Sequence, residues 1–384
     1  MEAYLDNSAT TRVFESVKDI VVKTMTEDFG NPSSLHKKGV EAEHYVKEAA
    51  ALVAGTLKAD PSEIIFTSGG TESNNMAIIG AFRANSRLGN HIITSTIEHP
   101  SVYNVFDYLE KEGAQAEYIP VDKNGHIDQD ALLAAVNEKT VLVSVMYVNN
   151  EIGSVNPIGE IGAAIKKKNL GTLFHVDAIQ AYGKYRINPK REQIDLLSVS
   201  GHKIHGPKGI GFLYVKKGTK LSPVMFGGGQ QKGMRSGTHN VPGIAGMGEA
   251  AREIYAGHEE KRKAMYRLKG LFVELVGKLP GTKINGLTGE DSAPHVISVS
   301  FEGIRSEVLL HALEEKGIYV SSGSACSSNH PALIGTLKGI GVKRELLDST
   351  LRFSLSIFTT EEEIRYSAEV LGELLPALRR YTRK

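Results

Sequence analysis

Between Glu63 and Lys217, short β-branched runs alternate with longer amphipathic segments, and the runs end in Gly, Ser, Asp or His. This alternation constrains the fold most strongly, because strands joined by segments of helical length pair in parallel and are buried on both faces. The runs EIIFTSG from Glu63, HIITSTIEH from His91, AQAEYIPV from Ala114, TVLVSVMYV from Thr140, TLFHVDA from Thr172 and DLLSVSGH from Asp195 read as such strands. GIGFLYVKK, from Gly209, closes the series. Helical segments after Thr71, Pro100 and Pro157 fall between them and are expected to cover both sheet faces. The expected fold class is therefore α/β, built on a mostly parallel sheet.

A chain of 384 residues exceeds one ordinary core, at roughly 150 residues per domain. A helical stretch from Val241 to Leu279 is expected to link two domains. Beyond it a smaller α/β domain follows, in which HVISVSFEG, SEVLLHALEEKG, IYVSSGSAC, PALIGTLKGIG, TLRFSLS and EEEIRYSAEVLGELLPALRR again take turns.

Lys plus Arg number 45 against 44 for Asp plus Glu, which leaves no basic field for nucleic acid and favours a small or zwitterionic substrate. MEAYLDNSATT lacks the basic start and apolar run of a secretory signal, and no stretch reaches the ~18 apolar residues of a membrane span. The expectation is a cytoplasmic protein with no membrane partner. The single cysteine, Cys326, can form no internal disulfide and no Cys-based zinc site alone, and no metal ligands are assigned. It sits in SSGSACSSNHP, Ser321 to Pro331, among small polar residues that no core would choose, so a reactive thiol is the better reading.

In an open parallel sheet, ligands gather at the carboxyl ends of the strands. There the first strand runs into Gly69, Gly70 and Thr71, where backbone N–H groups and a helix N-terminus suit a phosphate, although the stretch alone also reads as a Gly turn capped by Thr71. Other strands end in His99, Asp177, and Ser200, His202 and Lys203. Each alone has an ordinary structural reading, because a strand-end Asp often caps a helix and a Lys in a Gly-rich turn is often simply solvated. Together, a phosphate cradle, a carboxylate for a pyridinium nitrogen, a flat ring and an amine make a pyridoxal 5'-phosphate site. SGHKIHGPKGIG offers two amines, Lys203 and Lys208; spacing does not choose firmly, and Lys203 lies nearer the strand end. Asn150 and Gln180 bring amides to the same edge, and GGGQQKGMRSGTHN is expected to be a surface or interface loop whose Arg235, Ser236 and Thr238 could add phosphate contacts.

In their order and separations, YLDNSATT, FGNPSSLH, TSGGTESNN, EHPSV, VNNEIG, HVDAIQ, SGHKIHGPKGIG, GGGQQKGMRSGT, SSGSACSS and RFSLSIFTTEEE resemble the cysteine desulfurases of the NifS/IscS type over nearly the whole chain. The resemblance implies an aminotransferase-like fold, with a large cofactor domain at 13–255 and a small domain formed by 1–12 and 256–384. It implies that Lys203 carries pyridoxal phosphate as a Schiff base, with Asp177 on the ring nitrogen and His99 over the ring, His99 also assisting proton transfer. Gly70, Thr71, Ser200 and His202 would hold the phosphate, Asn150 and Gln180 would lie beside the ring, and Thr238 would complete the phosphate site of the other subunit of a homodimer. Arg352, in LRFSLS, matches the arginine that grips the substrate carboxylate, with Asn150 also at the substrate. Cys326 matches the cysteine that takes sulfur from L-cysteine, leaving alanine and a persulfide.

The resemblance leaves the sulfur acceptor open between an iron–sulfur scaffold and a thiolation enzyme: LLPALRRYTRK lacks the longer tail of housekeeping members, and Asn329 to Pro331 differ from their pattern. Two further departures, Gly70 for a frequent Ala and Ser356-Ile357 for a frequent Gly-Arg, remove no group the chemistry needs. The competing readings are a selenocysteine lyase or cysteine desulfhydrase of the same fold, and a catalytically idle relative acting as a binding partner.

Overall fold

The computed structural model describes residues 1–322 and 335–382, and Cys326 and Asn329 to Pro331 lie outside the described residues. Seven strands form the larger sheet, in the order Ile64–Thr67, Gly211–Val215, Leu196–Ser200, Leu173–Asp177, Thr140–Met146, His91–Ser95 and Gln115–Ile119. Gly211–Val215 runs antiparallel to both neighbours and the remaining pairs are parallel. All seven runs expected from the sequence are strands of this sheet.

The apolar runs follow from burial on both faces. Successive side chains point to opposite sides, so Val143, Leu197 and Tyr214 join one core cluster while Leu142, Leu196 and Leu213 join another. The helix Pro100–Lys111 shows how sequence sets one covering layer. Val102, Val105, Phe106 and Leu109 recur at helical spacing and face the sheet, and Pro100 opens the helix where its missing N–H costs nothing. A completely buried phenylalanine such as Phe106 contributes roughly 1.5–3 kcal/mol.

A second sheet holds Ser321–Ser322, Thr350–Ser354, Val296–Phe301 and Thr282–Asn285, all antiparallel. It has its own core, including Phe272, Phe301, Phe353 and Leu371. The amino terminus belongs to this layer: Ala3–Tyr4 pairs parallel with Ile318–Tyr319, and the Leu5 carbonyl accepts from Ser354 N at 2.6 Å. The stretch expected as a helical link is two helices, Val241–Tyr255 and His258–Gly277, broken where Gly257 takes φ +59°. None of the helices among the described residues is long and apolar enough to cross a membrane.

Candidate active site

The four parallel strands that lead to His99, Asn150, Asp177 and Ser200 deliver their carboxyl ends to one edge of the large sheet, and a cavity of about 300 Å³ opens there. Asp177, Ser200, His202 and Lys203 line it from the centre of the sheet, with Gly70, Thr71 and His99 from its flank. Asn150, Gln180 and Arg352 line it as well. The site residues inferred from the sequence therefore line this cavity, except Arg235, Ser236 and the exposed Thr238 of the long loop, which do not, and Cys326, which lies outside the described residues. A larger, open groove of about 1470 Å³ is lined by residues that include Asp122, Glu160 and Asp291, and none of the site residues inferred from the sequence lines it.

The two candidate amines separate clearly. Lys208 is exposed, whereas Lys203 lies in the one-turn helix Gly201–Lys203 that follows the strand Leu196–Ser200 and lines the cavity. Its Nζ donates to the carbonyl of Ala9 at 2.7 Å and to that of Ser8. Burial, then the nearby Arg352 guanidinium, pushes its amine down to about 8. Behind it, the buried Lys184 ammonium donates to the Lys203 carbonyl, and burial lowers that amine to about 7.

Asp177 is almost wholly buried, and the loss of water raises its carboxyl above the ordinary range. Asn74 Nδ2 donates to Asp177 Oδ2 at 2.8 Å and to Ser101 Oγ at 2.9 Å, and Ser101 Oγ lies 2.8 Å from His99 Nδ1. His99 also caps its helix, because Nδ1 accepts from Ser101 N at 3.2 Å. With Nδ1 accepting, the ring proton of a neutral His99 resides on Nε2. Burial disfavours the charged ring.

The residues present fit a flat, phosphate-bearing aldehyde. The helix Gly70–Ala84 begins at the cavity with no side-chain cap, leaving its first N–H groups for an anion, and Thr71, Ser200 and His202 surround that end. Among the described residues the buried Asp177 carboxylate is bonded to Asn74 Nδ2 and Ile179 N and to no cation, and a protonated ring nitrogen would complete it. Burial holds His202 down to about 4, so a phosphate there would meet a neutral ring. At Gly70 a methyl group would approach Ile179 Cδ1 to 2.2 Å, so the glycine makes room for that isoleucine at the cavity wall.

At the mouth, Arg352 bridges the two sheets. Its Nη1 donates to Asn150 O at 3.0 Å, and its Nη2 to Asp6 Oδ1 at 3.1 Å and Ser321 Oγ at 3.0 Å. The long loop is partly anchored: Gln231 pairs with both backbone groups of Phe66, at 2.7 and 2.8 Å, and Arg235 with Glu72 at 2.7 Å. Arg235 is thus spent on the first turn of the helix Gly70–Ala84 and does not face the cavity. The Ser356 hydroxyl accepts from Phe358 N at 3.1 Å, so it serves a turn.

Sequence reasoning assigned no role to Ser8, Ala9, Asp6, Asn74, Ser101, Lys184 or His295. Asn74 sits four residues after Gly70, one turn along the same helix face, and that spacing is the signal that could have found it.

The aminotransferase class-V family model matches residues 3–366. A cysteine desulfurase IscS of Methanosarcina thermophila is 44% identical over 98% of this chain and 92% of its own length. A cysteine desulfurase of a Nostoc strain is 43% identical over 98% of this chain and 93% of its own. The chain belongs to the class-V aminotransferase family, with the cysteine desulfurases as its relatives. Among solved structures, a NifS-like protein superposes with a TM-score of 0.92 at 38% identity, covering 98% of this chain and 100% of that one. A protein described as SspA in complex with cysteine superposes at 0.79 with 34% identity, over 93% and 100%. Members of this family depend on pyridoxal phosphate, in keeping with the donor set of the cavity.

Proposed function

We propose that the protein is a cysteine desulfurase that takes sulfur from L-cysteine, forming L-alanine and a persulfide on Cys326. The observation that carries this reading is the meeting of Lys203, Asp177, His99 and Arg352 in one cavity, beside the strand that leads into the Cys326 segment. Ser322 precedes Cys326 by four residues, a chain length that reaches at most about 14 Å. Ser321, next to it, accepts from Arg352 at the mouth of the cavity.

When bound, pyridoxal phosphate supplies a carbonyl for the substrate amine and an electron sink for the carbon that loses its proton. Lys203 would hold it through Nζ, Asp177 would meet its ring nitrogen, and His99 would lie against its face. Gly70, Thr71, Ser200 and His202 would take its phosphate. Asn150 and Gln180 would flank it with amides. The Arg352 fork suits the carboxylate of a zwitterionic amino acid, in competition with Asp6. Once free, the Lys203 amine, lowered to about 8, can accept and return the Cα proton at Nζ. The neutral His99 has its Nε2 proton available for transfer. Cys326, as a thiolate, attacks the substrate sulfur, forming an S–S bond as the C–S bond breaks.

The remaining features belong to the same proposal. Phe29, Leu35 and Phe226 are large apolar residues left exposed on the single chain, and a homodimer would cover such surface. Thr238, exposed and outside its own cavity, would then complete the phosphate site of the other subunit. The persulfide would pass in the cytoplasm to an acceptor protein serving iron–sulfur cluster assembly or tRNA or cofactor thiolation. The test is Cys326→Ala, which should retain the cofactor's visible absorption and lose alanine formation from L-cysteine in the presence of a reductant. Full turnover by that variant would overturn the persulfide route.

A further inference from the structure

A glutamine amide presents a donor at one end and an acceptor at the other, and a half-turn about its last bond exchanges them. At Gln180, which lines the cavity and is 6% exposed, the exchange would decide what the cavity is offered. Two contacts settle the orientation. Nε2 lies 3.0 Å from the backbone oxygen of Ser8, which can only accept, so the nitrogen must be at that end. Oε1 then lies 3.1 Å from His295 Nε2, which must donate.

We propose that His295 is a positioning residue that locks the Gln180 amide, so that the second Nε2–H of Gln180 is kept as a donor to the phenolic oxygen of the cofactor. The inference rests on the reading of the cavity as a pyridoxal phosphate site. His295 comes from the other sheet, immediately before the strand Val296–Phe301, and is 1% exposed. Its Nδ1 has no hydrogen-bond partner among the described residues, which leaves the single proton of a neutral ring on Nε2, where Gln180 needs it. Burial first, and then the cations Lys184, Lys269, Arg352 and Lys203 around it, oppose a second proton. The ring is therefore a fixed donor across the working pH range. Without it Oε1 would be a buried, unpaired acceptor, and the amide would be held only at Ser8.

The test compares His295→Met with His295→Gln, two side chains of similar size of which only glutamine retains an N–H near the position of Nε2. Each protein is reconstituted with pyridoxal phosphate, and the visible band of the Lys203-bound cofactor is titrated with pH. A donor on the phenolic oxygen draws charge from it and makes the adjoining nitrogen less basic. Weakening one such hydrogen bond should therefore raise the midpoint by about one pH unit in His295→Met. His295→Gln should recover at least half of the shift. In a Gln180→Leu background His295→Met should move nothing, because its effect runs through that amide. His295→Leu lacks the donor equally and replaces the methionine variant if that one does not fold. A His295→Met or His295→Leu midpoint equal to wild type, or a shift undiminished in the Gln180→Leu background, overturns the inference alone. A wild-type protein that gains no visible band overturns the cofactor reading and this inference with it.

Discussion

Replacing Arg352 by lysine keeps a cation at the mouth of the cavity and removes the fork. That choice matters, because the Arg352 charge helps to lower the Lys203 amine and a neutral replacement would alter two things at once. The guanidinium donates through two nitrogens, Nη1 to Asn150 O at 3.0 Å and Nη2 to both Asp6 Oδ1 and Ser321 Oγ. A lysine can hold one carboxylate oxygen but not both in the paired geometry, so the substrate loses one charge-assisted hydrogen bond, worth about 1.5–3 kcal/mol. At roughly 1.4 kcal/mol per tenfold change, kcat/KM for L-cysteine should fall about 10- to 150-fold, mostly through KM. Alanine formation against cysteine concentration measures it, and the cofactor's visible spectrum should match wild type. Ser321→Ala serves as the control, since it leaves the fork in place and removes only the hydroxyl that accepts from Arg352 Nη2 and donates to Asp6 Oδ1, and it should cost no more than about tenfold. An Arg352→Lys enzyme with unchanged KM, or a loss equal to that of Ser321→Ala, would refute the assignment of the substrate carboxylate to this guanidinium.

Two further predictions follow from the buried amines. Capture of pyridoxal phosphate by the cofactor-free protein requires a neutral Lys203, whose amine is lowered to about 8, so the second-order rate should rise with pH and level off just above 8; a rate still climbing steeply at pH 10 would contradict the assigned amine. Lys184 releases its proton near 7 in the folded chain and near 10.5 in the unfolded one, so between those values the unfolded state binds more protons and wild-type stability gains about 1.4 kcal/mol per pH unit from this residue. Lys184→Met removes that gain: urea unfolding of the cofactor-free proteins at pH 7 and 9 should show wild type advancing on the variant by about 2–3 kcal/mol, and equal pH slopes would show that the Lys184 ammonium is not destabilised by burial.

The strands and their order of residues were legible because burial on both faces writes a continuous apolar run, and a parallel sheet sends all its carboxyl ends to one edge. His99, Asp177 and Lys203 could be picked out for that reason, each standing just past such a run. What the sequence left unassigned arrives from far along the chain. The Ser8 and Ala9 carbonyls reach Lys203 only because the first residues pair with Ile318–Tyr319 and Ser354, more than 300 positions away, and no local pattern encodes that register. His295 likewise meets Gln180 across two sheets, 115 positions apart. Lys203 and Lys208 could not be separated by spacing, since only the tight turn after Ser200 turns one inward and leaves the other in solvent. Arg235 looked like an anion ligand by composition, and it is paired instead with Glu72, a carboxylate whose position depends on where the helix Gly70–Ala84 begins.

The most direct test of the central claim is the identity of the products. Purified protein loaded with pyridoxal phosphate is incubated with L-cysteine and a reductant, and alanine, sulfide and pyruvate are quantified together. A desulfurase working through Cys326 gives alanine and sulfide in equal amounts with no pyruvate. Pyruvate in place of alanine would mean that the carbon–sulfur bond breaks by β-elimination, with Cys326 taking no part.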